Sequence, residues 1–163
     1  MSYKITMEIK ESQELILENV LSLRKKMTQL EMQQEMIEIQ KFINEMGIKV
    51  NGPITTATYF VEQTADGVVM DLEIIVPLDK KIELSCKYKF KPIIKIVNAL
   101  KITHQGNPNR LNDTINKLNQ YIYEKQKQVI TPTYNVTVKN VSDPKDIEDV
   151  VMDIYVGCSP CIL

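Results

Sequence analysis

The sequence predicts an α+β domain built from two copies of a strand–helix–strand–strand unit, one before about residue 80 and one after it. Three observations lead there. First, a shift of 79 positions lays residues 19–45 over 98–124 without a gap. Asn19 then meets Asn98, Leu21 meets Leu100, Ile43 meets Ile122 and Glu45 meets Glu124, while Leu23/Ile102, Met36/Ile115 and Ile39/Leu118 keep apolar on apolar. Second, two further blocks follow in the same order. Residues 56–61 lie over 131–136 at a shift of 75, and 72–77 lie over 152–157 at a shift of 80. The shift changes only in predicted loops, where insertions are tolerated. Third, the apolar period switches from alternation to helical spacing at the same point of each copy.

Each element has its own signal. Residues 15–27 read as a strand, with Leu21 and Leu23 alternating against Ser22 and Arg24. Thr28 with Glu31 three positions later is a capping box. Met32, Met36, Ile39, Ile43 and Met46 continue as the buried stripe of a helix, which Gly47 stops at its C′ position. Asn51-Gly52-Pro53 marks a turn, and 54–61 with 68–77 form a hairpin around Asp66-Gly67. Residues 79–92 carry Lys80, Lys81, Lys87, Lys89 and Lys91 and link the copies, as a connector or as a strand. The second copy opens with a strand at 93–103. Gln105-Gly106-Asn107-Pro108 leads into a helix whose buried stripe is Leu111, Ile115, Leu118 and Ile122. Residues 129–139 and 149–156 form the second hairpin, with Ser142-Asp143-Pro144 in its long loop. Tyr3, Ile5, Met7 and Ile9 alternate as well, as an extra strand or an arm. The whole chain, 1–163, reads as one domain with repeat 1 at 15–78, repeat 2 at 93–157 and a tail at 158–163.

Composition removes several classes of function. The formal charge is −1, without the basic surplus of a nucleic-acid binder. The apolar run Ile74-Ile75-Val76-Pro77-Leu78 is far shorter than the roughly 20 residues that span a membrane. The N-terminus runs straight into Glu8, Lys10, Glu11 and Glu14 and has no signal-peptide apolar core, so the three cysteines point to a reducing cytoplasm. His104 is the single histidine, which excludes a multi-histidine metal site. Its place at a strand end suggests a surface role. Cys158-Ser159-Pro160-Cys161 lies too close to the chain end for a following helix to activate a thiol, and only Cys86 remains to complete a zinc set. These read as tail cysteines, and no metal or cofactor is expected. Glu73 sits between Leu72 and Ile74 and reads as a solvated strand face, while Tyr59 and Tyr134 read as sheet packing or cavity lining. Asp153, on the closing strand of the second copy, reads as an exposed strand-face acid or, if a cavity holds it, as a functional one, since a carboxylate inside a cavity is costly unless paired or used.

The passage Phe42-Ile43-Asn44-Glu45-Met46-Gly47-Ile48-Lys49-Val50-Asn51-Gly52-Pro53, leading to Tyr59, and the strand Asp71-Leu72-Glu73-Ile74-Ile75-Val76-Pro77-Leu78 carry a family resemblance. So do their counterparts Ile102-Thr103-His104-Gln105-Gly106-Asn107-Pro108 and Met152-Asp153-Ile154-Tyr155-Val156. Together they resemble the GyrI-like small-molecule-binding superfamily, the effector-binding domain of AraC-type and MerR-type regulators. The resemblance covers about residues 15–157. It implies that the two units join into a curved, mainly antiparallel sheet with two helices on one face. It also implies a cavity between the halves for a small, often aromatic or cationic, molecule. The acid that meets such a ligand falls on Asp153, with Tyr155 on the same strand face, Tyr134 and Tyr59 as aromatic neighbours, and Glu73 as the first-copy equivalent. Two departures stand out: Asp153 replaces the more usual Glu, and Gly157 stands where the strand normally closes with Pro. No helix-turn-helix precedes residue 15. The expectation is therefore a stand-alone sensor or sequestering protein for a small molecule, without direct nucleic-acid or membrane contact, acting alone, as a homodimer or through a protein partner. The alternatives are a hydrolase of a reactive small molecule using Asp153 with Tyr155 or Tyr134, and a protein-interaction module with a filled cavity.

Overall fold

The structure is a computed structural model that describes residues 8–83 and 87–161. The chain forms two compact units, one of Ile16–Lys95 and one that joins Met1–Leu15 to Ile96–Leu163. The elements are β1 (Lys10–Met27), α1 (Gln29–Glu45), β2 (Thr55–Thr64), β3 (Gly67–Pro77), β4 (Lys89–Gln105), α2 (Leu111–Glu124), β5 (Val129–Lys139) and β6 (Val151–Cys158). Short 3-10 turns at Pro108–Arg110 and Pro144–Asp149 complete them. The class is α+β with antiparallel strand pairing. Among the described residues no helix is long and apolar enough to cross a membrane.

In the first unit β3 lies between β1 and β2, and Glu73 stands opposite Arg24 on one side and Ala57 on the other. In the second unit β6 lies between β4 and β5, and Asp153 stands opposite Thr103 and Val136. The closing strand of each unit is thus its middle strand. Pairing on both edges satisfies its backbone, while α1 covers Leu72, Ile74 and Val76 on one face and Ser22, Tyr59 and Lys91 close over Glu73 on the other, so Glu73, expected on a solvated face, is only 1% exposed.

The helices begin and end as their residues dictate. The Thr28 hydroxyl accepts from the Glu31 backbone N–H at 3.2 Å. Past α1, Gly47 takes a left-handed φ of 68°, the Gly47 N–H donates to the Asn44 carbonyl at 3.2 Å and the Ile48 N–H donates to the Ile43 carbonyl at 3.1 Å. Past α2, Gln126 takes a φ of 53°, with bonds from Gln126 N–H to the Tyr123 carbonyl at 3.2 Å and from Lys127 N–H to the Ile122 carbonyl at 3.0 Å. Asn19 in β1 and Asn98 in β4 are also left-handed, at 51° and 52°. Asparagine tolerates that region better than most residues. Both pairs, Gly47/Gln126 and Asn19/Asn98, are 79 positions apart in the chain.

Each unit has its own core. In the first, Ile39 and Ile43 of α1 pack on Leu21, Leu23, Leu72, Ile74 and Val76, with Met32, Met36 and Phe42 half-buried around them. Met46 departs from the expected stripe and is 51% exposed, because the chain turns at Gly47 and Ile48 takes the buried place instead. In the second, Leu118 of α2 packs on Leu100, Ile102, Ile154 and Val156, flanked by half-buried Leu111, Ile115 and Ile122.

Two expectations for the second unit are corrected. β6 runs through Cys158, which is buried against that core, so the tail begins at Ser159. Burial pushes the Cys158 thiol pKa up, and the Cys158 carbonyl accepts from the Asn98 amide at 3.1 Å. His104 is buried rather than at the surface, since β4 continues to Gln105 under α2. His104 Nε2 donates to the Asn107 carbonyl at 3.0 Å and Nδ1 lies 2.6 Å from the Thr114 hydroxyl. At Gly157 a side chain would meet Thr131 Cγ2 at 2.6 Å, and the Gly157 N–H donates to the Thr131 hydroxyl at 2.8 Å. Tyr3, Ile5, Met7 and Cys86 lie outside the described residues.

Candidate functional site

In the first unit the side chains converge on Glu73. Its carboxylate is withdrawn from solvent, with 2% of the side chain accessible. Ser22 Oγ donates to it at 2.5 Å, Tyr59 Oη at 3.0 Å and Lys91 Nζ at 2.6 Å. Burial alone would raise the carboxyl pKa. The hydrogen bonds from Lys91, Ser22 and Tyr59, with the Lys91 charge, outweigh burial and hold it below the usual carboxylate range. Local structure explains the convergence. Ser22 is two residues from Arg24, the cross-strand partner of Glu73, and so shares its face. Tyr59 is the extra residue of a β-bulge, because the β2–β3 register slips between Thr58 and Phe60. Bulges re-aim side chains, and this one turns the Tyr59 hydroxyl to Glu73. Lys91 reaches in from the start of β4.

Around this acid lies a shell of ion pairs. Arg24 donates to both Asp71 oxygens, at 3.1 and 3.0 Å, and holds the Asp71 pKa below its ordinary value. The same guanidinium lies 3.5 Å from the Tyr59 ring centroid. Lys87 bridges Glu35 at 2.8 Å and Glu38 at 2.7 Å, and Lys25 adds a bond to Glu35 at 2.9 Å. A pocket of about 200 Å³ opens among Ser22, Arg24, Tyr59, Glu73, Lys87, Lys89 and Lys91.

The second unit brings together another three of the expected residues. Asp153 accepts from the Thr103 hydroxyl at 2.7 Å and lies 3.4 Å from Lys101 Nζ, with 15% of its side chain accessible. Tyr155 is 9% exposed, two residues on, and Tyr134 stands opposite it on β5, also buried. Lys101 Nζ lies 5.6 Å from the Tyr155 ring centroid. Burial works to lower the Lys101 pKa, but the Asp153 charge and the bonds to Asp153 and Tyr155 outweigh it and raise the value. The expected residues thus form two groups, Glu73 with Tyr59 and Asp153 with Tyr155 and Tyr134. Sequence reasoning did not single out Ser22, Arg24, Lys91 or Lys101 for either group. For Lys91 the signal was the alternation Lys87, Lys89, Lys91, of which Lys89 and Lys91 share a face of β4.

No family model matches the sequence, and no curated protein matches it. Solved structures match its fold. The C-terminal domain of EcmrR superposes with a TM-score of 0.70 at 15% identity, over 96% of this chain and 98% of that one. EcmrR in its DNA complex gives 0.75 at 16% identity, over 96% of this chain, which spans 58% of the EcmrR chain. SAV2435 bound to tetraphenylphosphonium gives 0.50 at 13% identity, over 96% of this chain and 95% of that one.

Proposed function

We propose that this chain, which has the GyrI-like fold, binds a small organic molecule that carries a positive charge beside an aromatic surface, and that it does so for sensing or sequestration. The observation that carries the proposal is the Glu73 carboxylate, ionised and out of solvent, facing a pocket of about 200 Å³ beside Tyr59. A desolvated carboxylate gives a cation a charge-assisted bond, and an aromatic ring gives it a flat apolar wall with cation–π attraction. The pocket is smaller than the roughly 300–1,000 Å³ of drug-sized sites, so it suits one charged group with its nearest ring rather than a whole large ligand. The tetraphenylphosphonium bound by SAV2435 is a cation of that aromatic kind. Asp153 with Tyr155 and Tyr134 supplies a second acid–aromatic group of the same chemistry. We read the two units as products of one duplication. The matched left-handed residues at Asn19/Asn98 and Gly47/Gln126 and the matched bonds that end the two helices support that reading.

The test is calorimetric titration of the full chain with tetraphenylphosphonium and with neutral triphenylphosphine oxide. Glu73→Gln keeps the shape and removes the charge. It weakens the phosphonium by roughly 10- to 100-fold, the scale of one ion–ion attraction across a few ångströms of a partly wet site, and does not weaken the neutral probe. Equal losses for both probes, or no phosphonium binding by the unmodified chain, sink the proposal.

A further inference from the structure

Both recognition groups of the first unit are already engaged by the protein's own cations. Lys91 Nζ sits 2.6 Å from Glu73, and the Arg24 guanidinium lies 3.5 Å from the centre of the Tyr59 ring. These are the two contacts that an organic cation would make there. The two differ in how firmly they are held. Arg24 is fixed by its two bonds to Asp71. Lys91 has no acid partner besides Glu73 among the described residues, and 40% of its side chain is exposed, so its stem runs from solvent to an acid that is 2% accessible. A lysine ammonium on four flexible carbons loses little by returning to water. Ser22 and Tyr59 still donate to Glu73 when it leaves.

We infer that Lys91 is a tethered competitor for the ligand's charge: it occupies Glu73 in the empty site and swings into solvent when a ligand cation takes its place. The inference rests on the reading of Glu73 as the ligand acid and adds a residue that sets selectivity. An ammonium bound to its own acid lowers the apparent affinity for every cation, since the competent state is only a fraction of the population. Ligands that also bring aromatic surface to the part of Tyr59 that Arg24 leaves open, the residue being 37% exposed, regain what the exchange costs, whereas simple ammonium ions do not. Lys91 therefore filters for aromatic cations and against the small cations that crowd any solution.

The experiment compares Lys91→Met and Lys91→Arg with the unmodified chain, using tetraphenylphosphonium and triphenylphosphine oxide as probes. Lys91→Met keeps the stem and removes the competing charge. It binds the phosphonium roughly tenfold or more tightly, the scale of one charge-assisted bond. Lys91→Arg retains a competing cation and stays near the unmodified affinity, and the neutral probe binds all three proteins alike. Carboxyl-detected NMR gives a readout without ligand: the Glu73 titration moves to higher pH in Lys91→Met, because its nearest cation is gone. If the unmodified chain binds the phosphonium but Lys91→Met binds it no tighter, the competitor role is wrong and the site stands. If Lys91→Met and the unmodified chain both fail to bind it, the Glu73 site and the role of Lys91 fall together.

Discussion

Glu73 and Asp153 occupy the same place in their two units, each in the middle strand of an antiparallel trio, yet they are held differently. Glu73 is withdrawn from solvent and takes three donors, of which only Lys91 is charged. Asp153 keeps 15% of its side chain accessible and is met by Thr103 and Lys101. The difference traces to one pair of positions. Ser22 in β1 and Lys101 in β4 are 79 apart in the chain. In the first unit the sheet itself supplies a neutral hydroxyl, and the cation comes from Lys91 at the start of another strand. In the second unit the cation grows from the sheet next to its acid and also faces Tyr155. A neutral cradle with a removable cation suits ligand exchange, whereas a built-in ion pair has its charge already settled. This contrast is what favours the first unit in the function proposed above, although the family resemblance puts the ligand acid in the second.

Removing each acid outright is the strongest way to break this comparison. Glu73→Ala leaves Ser22 and Tyr59 facing a buried gap. Losing one partner of a fully buried pair costs about 3–5 kcal/mol. Because Lys91 can return to water, the expected loss here is smaller, about 2–3 kcal/mol, near the cost of buried polar groups left without partners. Asp153→Ala unpairs Lys101, whose side chain is 23% accessible, but their 3.4 Å contact is looser than the bonds at Glu73, so the expected loss is about 1 kcal/mol, the upper end for ion pairs that water reaches. Urea unfolding at neutral pH measures both. Equal losses would mean that the two acids do the same work.

Acid tests the same contrast with a smaller effect. The folded-state pKa of Glu73 is depressed, so its contribution is fully present above the ordinary glutamate value of about 4.3. It is lost as pH falls through the lower folded value, because the unfolded chain then binds a proton that the folded one resists. Urea midpoints recorded between neutral pH and about pH 3 should fall less steeply for Glu73→Gln than for the unmodified chain. Glu35 and Asp71 are depressed as well, so the slope shrinks and does not vanish. An unchanged slope would show that Glu73 is not the charged acid described here.

How much of this was legible in the sequence depends on the range of the cause. Helix caps, the helix-ending Gly47, the hairpins and the order of elements are set within a few residues, and Thr28, Gly47 and Asp66-Gly67 announced them. Asp153 and Tyr155 were legible as one group because strand alternation puts them on one face, whereas Tyr134 joined them through the family resemblance. Glu73 was not read as buried, because alternation assigns a strand's second face to water unless another layer covers it. Covering depends on contacts such as Ser22–Glu73 and Lys91–Glu73, which join residues far apart in the chain. His104 and Cys158 were misplaced for a related reason, since both sit at strand ends that the structure extends by two residues beyond the apolar pattern. The bulge at Tyr59 left no trace in composition, because a bulge is a mismatch between two strands and belongs to neither sequence alone.

The finest test of the comparison lies at the helix ends, away from either acid. Gly47 and Gln126 hold the same left-handed backbone and the same pair of closing hydrogen bonds, but only Gly47 holds that backbone without a side-chain penalty. A Cβ at Gly47 would meet nothing within 4 Å, so Gly47→Ala isolates the backbone cost, about 1 kcal/mol. Gln126 already bears that cost in the folded protein. Gln126→Gly removes it while giving the unfolded chain more freedom, and these oppose each other. The net gain should be a few tenths of a kcal/mol, about half the Gly47→Ala loss or less, with opposite sign. Chemical denaturation of the two single variants and the double variant resolves it. Sites this far apart in the chain with no shared partners should add within about 0.5 kcal/mol. A loss at Gln126→Gly would mean that its side chain works at that turn and that the two helix ends, alike in backbone, are not alike in energy.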